Sequence, residues 1–140
     1  MLIIDSNIWA YYFDRDAPEH QSVVDELEES LRGNKIAINT VILIEVAHFL
    51  VKSLGSVVGR RKLNTFLGFP LTLVDLDHDL AMDAVEILTE HTHRGIGGRD
   101  ATILATAKVL ATNKIMTHDQ AFKRVDWVEV IDPVELSTGS

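Results

Sequence analysis

Leu2-Ile3-Ile4-Asp5-Ser6-Asn7 sets the reading of the chain: three apolar residues end on an acid, and a helix-compatible run follows from Ile8. A short apolar run bounded in this way reads as a buried strand, with the acid at its carboxyl end. The arrangement returns near the other terminus in Lys114-Ile115-Met116-Thr117-His118-Asp119. Between the two, short apolar runs alternate with longer stretches of helical period. That pattern predicts an α/β fold with a mainly parallel sheet of about four to five strands flanked by helices.

Working outward, strands are expected at 2–4, 36–38, 71–74, 115–116 and 128–131. Helices are expected at 8–13, at 18–31 with Pro18 in the first turn, and from a cap at Asn39 or Thr40 to about Ser53. Gly55-Ser56 punctuates, and a further helix carries Arg60-Arg61-Lys62 to about Leu67. Helices at 79–91 and 99–110 and a short one at 120–124 complete the pattern. Residues 1–136 read as one domain, and 137–140, with Pro133 before them, as a frayed small-polar tail.

At 140 residues and 46% apolar the chain can bury one substantial core and is not disordered. Glu45 and His48 interrupt the longest apolar stretch, so no membrane span is expected. A strand starting at Leu2 leaves no place for a signal peptide, and the absence of cysteine fits a cytoplasmic protein. The net charge of −8 weighs against nucleic acid as a partner. The objection is weak, because a substrate meets the local field at a site rather than the total charge.

Asp5, Glu45, Asp100 and Asp119 each stand where an apolar element has no use for a charge. Like charges brought together repel and resist desolvation unless something positive lies among them. Four acids from four elements therefore point to a hard divalent cation with oxygen ligands and room for phosphate. Each acid has a structural alternative. Asp5 and Asp119 can cap helices, Asp100 can sit in a first turn, and a buried Arg or Lys can partner Glu45. Ligands of open parallel sheets bind beyond the carboxyl ends of the strands, where Asp5, Asp100 and Asp119 are expected to converge.

Glu45-x-x-His48 and Glu90-x-x-His93 have the spacing of di-iron bundle ligands, but the strand signals do not suit a bundle. His48 reads as a hydrogen-bonded helix histidine. His20, His78, His91 and His118 read as solvated, with His118 near enough to Asp119 to touch substrate. Gly95-Ile96-Gly97-Gly98 reads as a flexible lip, flanked by Arg94 and Arg99 as candidate phosphate contacts.

These motifs resemble those of the PIN-domain nucleases, most closely the toxin nucleases of VapBC-type toxin–antitoxin pairs. The resemblance rests on Ile4-Asp5-Ser6-Asn7, on Thr40 to Glu45, on Gly98-Arg99-Asp100-Ala101 with Ala105, and on Met116 to Phe122, and it covers essentially the whole chain. It implies a PIN-like fold and hydrolysis of RNA phosphodiester bonds, with one or two Mg²⁺ or Mn²⁺ ions held by Asp5, Glu45, Asp100 and Asp119. Asn7 and Thr117 are implied as orienting groups behind the carboxylates. It also implies a homodimer and a cognate antitoxin whose C-terminal segment blocks the site. Two other readings stand beside this one: a PIN-fold RNA-processing nuclease outside toxin–antitoxin systems, and a non-catalytic RNA- or protein-binding module.

Overall fold

The computed structural model describes residues 1–138. Five parallel strands pair in one sheet: β1 (Leu2–Ile4), β2 (Ile36–Asn39), β3 (Leu71–Val74), β4 (Lys114–Met116) and β5 (Glu129–Ile131). Their order is β3-β2-β1-β4-β5. β1 and β2 are buried along their whole length, as near-continuous apolar runs in a covered parallel sheet should be. The chain leaves β1 toward β2 on one side and later returns to β4 on the other. The carboxyl ends of β1 and β4 therefore flank a point where the winding reverses, the place at which such sheets form a binding crevice.

The helices are α1 (Ser6–Phe13), α2 (His20–Gly33), α3 (Thr40–Leu67), α4 (His78–His91), α5 (Gly98–Val109) and α6 (Pro133–Thr138). Asn39 caps α3 through its side-chain oxygen, which accepts from the Ile42 N–H at 2.9 Å. The two helices expected on either side of Gly55 form one element that breaks there, at φ +85° and ψ 168°. That conformation is open essentially only to glycine. Gly59 then lets the second half approach the first, since a Cβ there would lie 2.6 Å from the Leu50 carbonyl oxygen.

By length and composition α3 is apolar enough to cross a membrane, contrary to the expectation that Glu45 and His48 rule this out. Two polar positions do not offset so many aliphatic ones. The helix is nevertheless broken at Gly55, and Ile42, Val46, Leu50 and Phe66 are buried in the core. The segment at 120–124 is a 3-10 turn rather than an α-helix. Pro133 begins α6 instead of a frayed end, because Asp132 accepts from the Val134 N–H at 3.0 Å and caps the turn. Of the expected tail, Gly139 and Ser140 lie outside the described residues.

Trp9 fastens α1 behind β1. Its indole N–H donates to the Ile4 carbonyl at 3.1 Å, and its ring meets Phe66 edge-on with centroids 4.8 Å apart. Phe13 approaches the same Phe66 ring at 6.3 Å. These contacts pin the residues directly after Asp5 to the second half of α3. The position of the acid is thus set by the core.

Candidate active site

Asp5 follows the last residue of β1 and is fully buried. Its backbone N–H continues the ladder to the Met116 carbonyl at 2.9 Å, which brings the ends of β1 and β4 together. One carboxylate oxygen caps α1 by accepting from the Ser6 N–H at 2.7 Å. The other accepts from the Thr117 hydroxyl at 2.8 Å. Asn7 donates to the same hydroxyl oxygen at 3.3 Å and accepts from the His118 N–H, also at 3.3 Å. Asn7 and Thr117 thus back Asp5 from the neighbouring strand end.

Arg99 opens α5 and lies among three of the acids. Its Nε donates to Glu45 at 2.8 and 3.0 Å, its Nη1 to Asp100 at 3.1 Å, and its Nη2 to Asp5. The Ser6 hydroxyl oxygen takes a further bond from Nη2 at 2.9 Å. Burial alone would make this guanidinium easier to deprotonate, but the bonds to Glu45 and the charge of Asp5 outweigh it and raise its pKa. The arginine anticipated only at the lip for phosphate is therefore turned inward. It is also the cation whose presence beside Glu45 was the structural alternative for that acid. Arg94 pairs with none of these acids; one of its guanidinium nitrogens lies 4.0 Å from Asp126 instead.

Asp119 makes none of these ion pairs. It caps the 3-10 turn by accepting from the Ala121 N–H at 3.0 Å. Its charge nevertheless reaches Asp100, whose pKa is raised first by burial and then by repulsion from Asp119, against the opposing pull of Arg99. The capping alternatives for Asp5 and Asp119 are thus met: each acid caps the next element, Asp5 also pairing with Arg99 and the charge of Asp119 reaching Asp100.

The contacts of three residues were not anticipated from the sequence. Asn39, besides capping α3, donates to Thr102 at 3.3 Å and to Thr106 at 3.2 Å, tying the Glu45 helix to the Asp100 helix. His118 is held by the buried Asp132, with Nδ1–H donating at 2.9 Å, and is not simply solvated. His91 is likewise buried, bonded to the Ile87 carbonyl at 3.0 Å, which corrects its reading as a solvated residue. Asn39 was legible only as a cap. Nothing near Asp132 in sequence marks it as buried.

The donor set is all oxygen, from carboxylates and hydroxyls, which suits Mg²⁺ or Mn²⁺ rather than a softer metal. One guanidinium offsets only one of the three carboxylate charges, so the cluster would hold a divalent cation more strongly than a monovalent one. The residues therefore fit such an ion by chemistry. A ready ligand cage is not assembled, however: among the described residues no three His, Asp or Glu side chains are grouped to hold a metal. The acids are drawn together on Arg99 instead.

The family model described as "PIN domain" matches residues 2–128. No curated protein matches the chain. Among solved structures, the sarcin-ricin-loop-cleaving toxin VapC20 of Mycobacterium tuberculosis is 20% identical, with a TM-score of 0.78 over 93% of this chain and 98% of that one. VapBC2 of Rickettsia felis, bound to a DNA fragment from its promoter, is 25% identical, with a TM-score of 0.74 over 94% and 97% of the two chains. DNA-bound VapBC from Salmonella typhimurium is 19% identical, with a TM-score of 0.67 over 94% and 97%.

Proposed function

Because the chain belongs to the PIN domain family, whose members are nucleases, we propose that it is a Mg²⁺- or Mn²⁺-dependent endoribonuclease and the toxin of a toxin–antitoxin pair. The observation that carries this reading is the convergence of Asp5, Glu45 and Asp100 on one cation at the carboxyl end of β1, within reach of the charge of Asp119. Three unlike elements meet there at the reversal of the sheet, where parallel sheets form their binding crevices. A bound divalent ion would acidify a water as nucleophile and offset charge on the phosphate.

In this reading Asp5, Glu45, Asp100 and Asp119 hold one or two such ions. Thr117 and Asn7 fix the Asp5 carboxylate so that its oxygens do not swing during turnover. Asp100, at the start of α5, has its pKa raised by burial and by the charge of Asp119, and added positive charge would favour its ionised form. Such chemistry needs no 2′-hydroxyl participation and leaves a 5′-phosphate and a 3′-hydroxyl.

RNA is favoured as substrate because a relative of the same fold cleaves the sarcin-ricin loop. An antitoxin is favoured because several relatives are toxin–antitoxin complexes. Exposed Leu76, Met82 and Val85 beside α4 suit a face covered by a second copy in a homodimer. Cytoplasmic residence belongs to the same reading.

Cleavage of a mixed-sequence single-stranded RNA, with and without Mn²⁺ or Mg²⁺ and beside Asp5→Asn, tests it. Metal-dependent cutting that the substitution abolishes is expected. Metal-independent cutting, or cutting retained in the variant, would overturn it.

A further inference from the structure

Asp5 has no acceptor to spare. A carboxylate offers about four lone-pair directions. At Asp5 one oxygen receives the Ser6 N–H at 2.7 Å and Arg99 Nη2, while the other receives the Thr117 hydroxyl at 2.8 Å and Arg99 Nη1 at 3.5 Å. The Ser6 and Thr117 donors are fixed by α1 and by the end of β4, so they stay. Both oxygens of Glu45 accept from Arg99 Nε, at 2.8 and 3.0 Å. Glu45 keeps acceptor directions free, but a cation that is to bind Asp5 directly must remove the guanidinium first.

Arg99 also has somewhere to go. Its side chain is 30% exposed and that of Glu45 35%, against 0% for Asp5, so the cluster opens to solvent on the side of Arg99 and Glu45. The residues before it, Gly97 and Gly98, have open space where a Cβ would be. No other Lys or Arg forms an ion pair with Asp5, Glu45 or Asp100 among the described residues.

Resting on the metal-dependent reading above, we infer that Arg99 is a built-in competitor of the metal. It is a positioning residue that closes the carboxylate centre on itself when the ion is absent and must be displaced before the centre loads. The fixed donors hold Asp5 in place throughout, so loading is an exchange of cations with little rearrangement of the acids. The wild-type chain consequently binds divalent ions more weakly than its carboxylates alone would, and it keeps its like charges paired in the metal-free state.

Calorimetric titration of Mn²⁺ into the full chain without nucleic acid tests this in wild type, Arg99→Gln and Asp5→Asn. Arg99→Gln is expected to bind Mn²⁺ at least about tenfold more tightly than wild type. It should also melt lower without metal and gain more in melting temperature when Mn²⁺ is added. The wild type supplies a readout that needs no variant: the Arg99 Nε–H resonance, protected by Glu45, should shift and exchange faster as Mg²⁺ saturates. Equal or weaker Mn²⁺ binding by folded Arg99→Gln, or an Nε–H signal unmoved at saturation, overturns the inference. If binding in those experiments still depends on Asp5, the nuclease reading stands without it. Absence of Asp5-dependent binding in both wild type and Arg99→Gln brings down both.

Discussion

The Thr117 hydroxyl donates to the Asp5 carboxylate at 2.8 Å, joining residues 112 positions apart at the ends of adjacent parallel strands. Both side chains are fully buried, and the Thr117 oxygen also accepts from Asn7 and from the Asp119 N–H at 3.0 Å. One hydroxyl thus holds the first acid, the residue behind it and the start of the turn that carries the last acid. Thr117→Val keeps the shape and deletes the oxygen, leaving buried partners unsatisfied at about 1–3 kcal/mol. Chemical denaturation should show that loss. Nuclease activity should fall by roughly 10- to 100-fold, as for groups that orient a metal ligand. Thr117→Ser should restore most of both.

Asp5 and Asp119 each combine a cap with a charge, and asparagine separates the two. Asn is as good a cap as Asp, so Asp119→Asn should melt within a few degrees of wild type, whereas Asp5→Asn should melt lower, because its amide has one acceptor oxygen for the Ser6 N–H, the Thr117 hydroxyl and Arg99. Both remove a negative charge from the candidate ion site. If that site carries several kcal/mol of transition-state stabilisation, either change lowers cleavage by roughly a thousandfold or more. Chelation of metal from the wild type should match that loss. Melting curves beside initial cleavage rates check the separation, and activity retained in Asp119→Asn would take that residue out of the chemistry.

Much of this site is legible in the sequence because local rules and the global fold agree there. The run Leu2–Ile4 is a strand for its apolarity, and Asp5 ends it as a cap. The glycines at 95, 97 and 98 precede or open the helix that carries Asp100. Where sequence reading fails, the deciding contacts join distant residues. That Arg99 turns inward follows from Glu45, 54 positions earlier, and no pattern around Arg99 announces it. Burial of Asp132 depends on Lys123 and His118 reaching it from the preceding turn. α6 is missed because its capping acid lies before a short polar stretch without helical period.

Gly55 and Gly59 set the break in α3 and how its second half lies against the first. At Gly55 the backbone lies at φ +85°, and an alanine there is strained by about 1–3 kcal/mol. At Gly59 a methyl would meet the Leu50 carbonyl oxygen at 2.6 Å, a backbone contact that cannot rotate away. Gly59→Ala should therefore destabilise by about 1–3 kcal/mol, as overpacking does. Denaturant midpoints check both substitutions, and unchanged stability in Gly59→Ala would contradict the close approach.

Asp132 gives the fold a defined response to acid. Its side chain is buried, which by itself would raise its pKa, but the ammonium of Lys123 at 2.7 Å and His118 outweigh this and hold it below the ordinary carboxylate value. A carboxyl whose folded pKa is depressed contributes stability above its unfolded value, near 3.9, and loses it as pH falls through the lower folded value. Lys123→Met removes the leading attraction, so the folded pKa of Asp132 rises and the contribution shrinks at neutral pH. Acid unfolding of this variant, followed by circular dichroism, should begin at a higher pH than in wild type. The loss at pH 7 should be about 1–3 kcal/mol, the range for a buried acceptor deprived of its partner. Because Asp132 also caps α6, Asp132→Asn should keep the helix start. Added to both chains, it should also abolish the difference in acid response between wild type and Lys123→Met. A difference that persisted would assign the acid sensitivity to Glu135, the other carboxylate that Lys123 contacts.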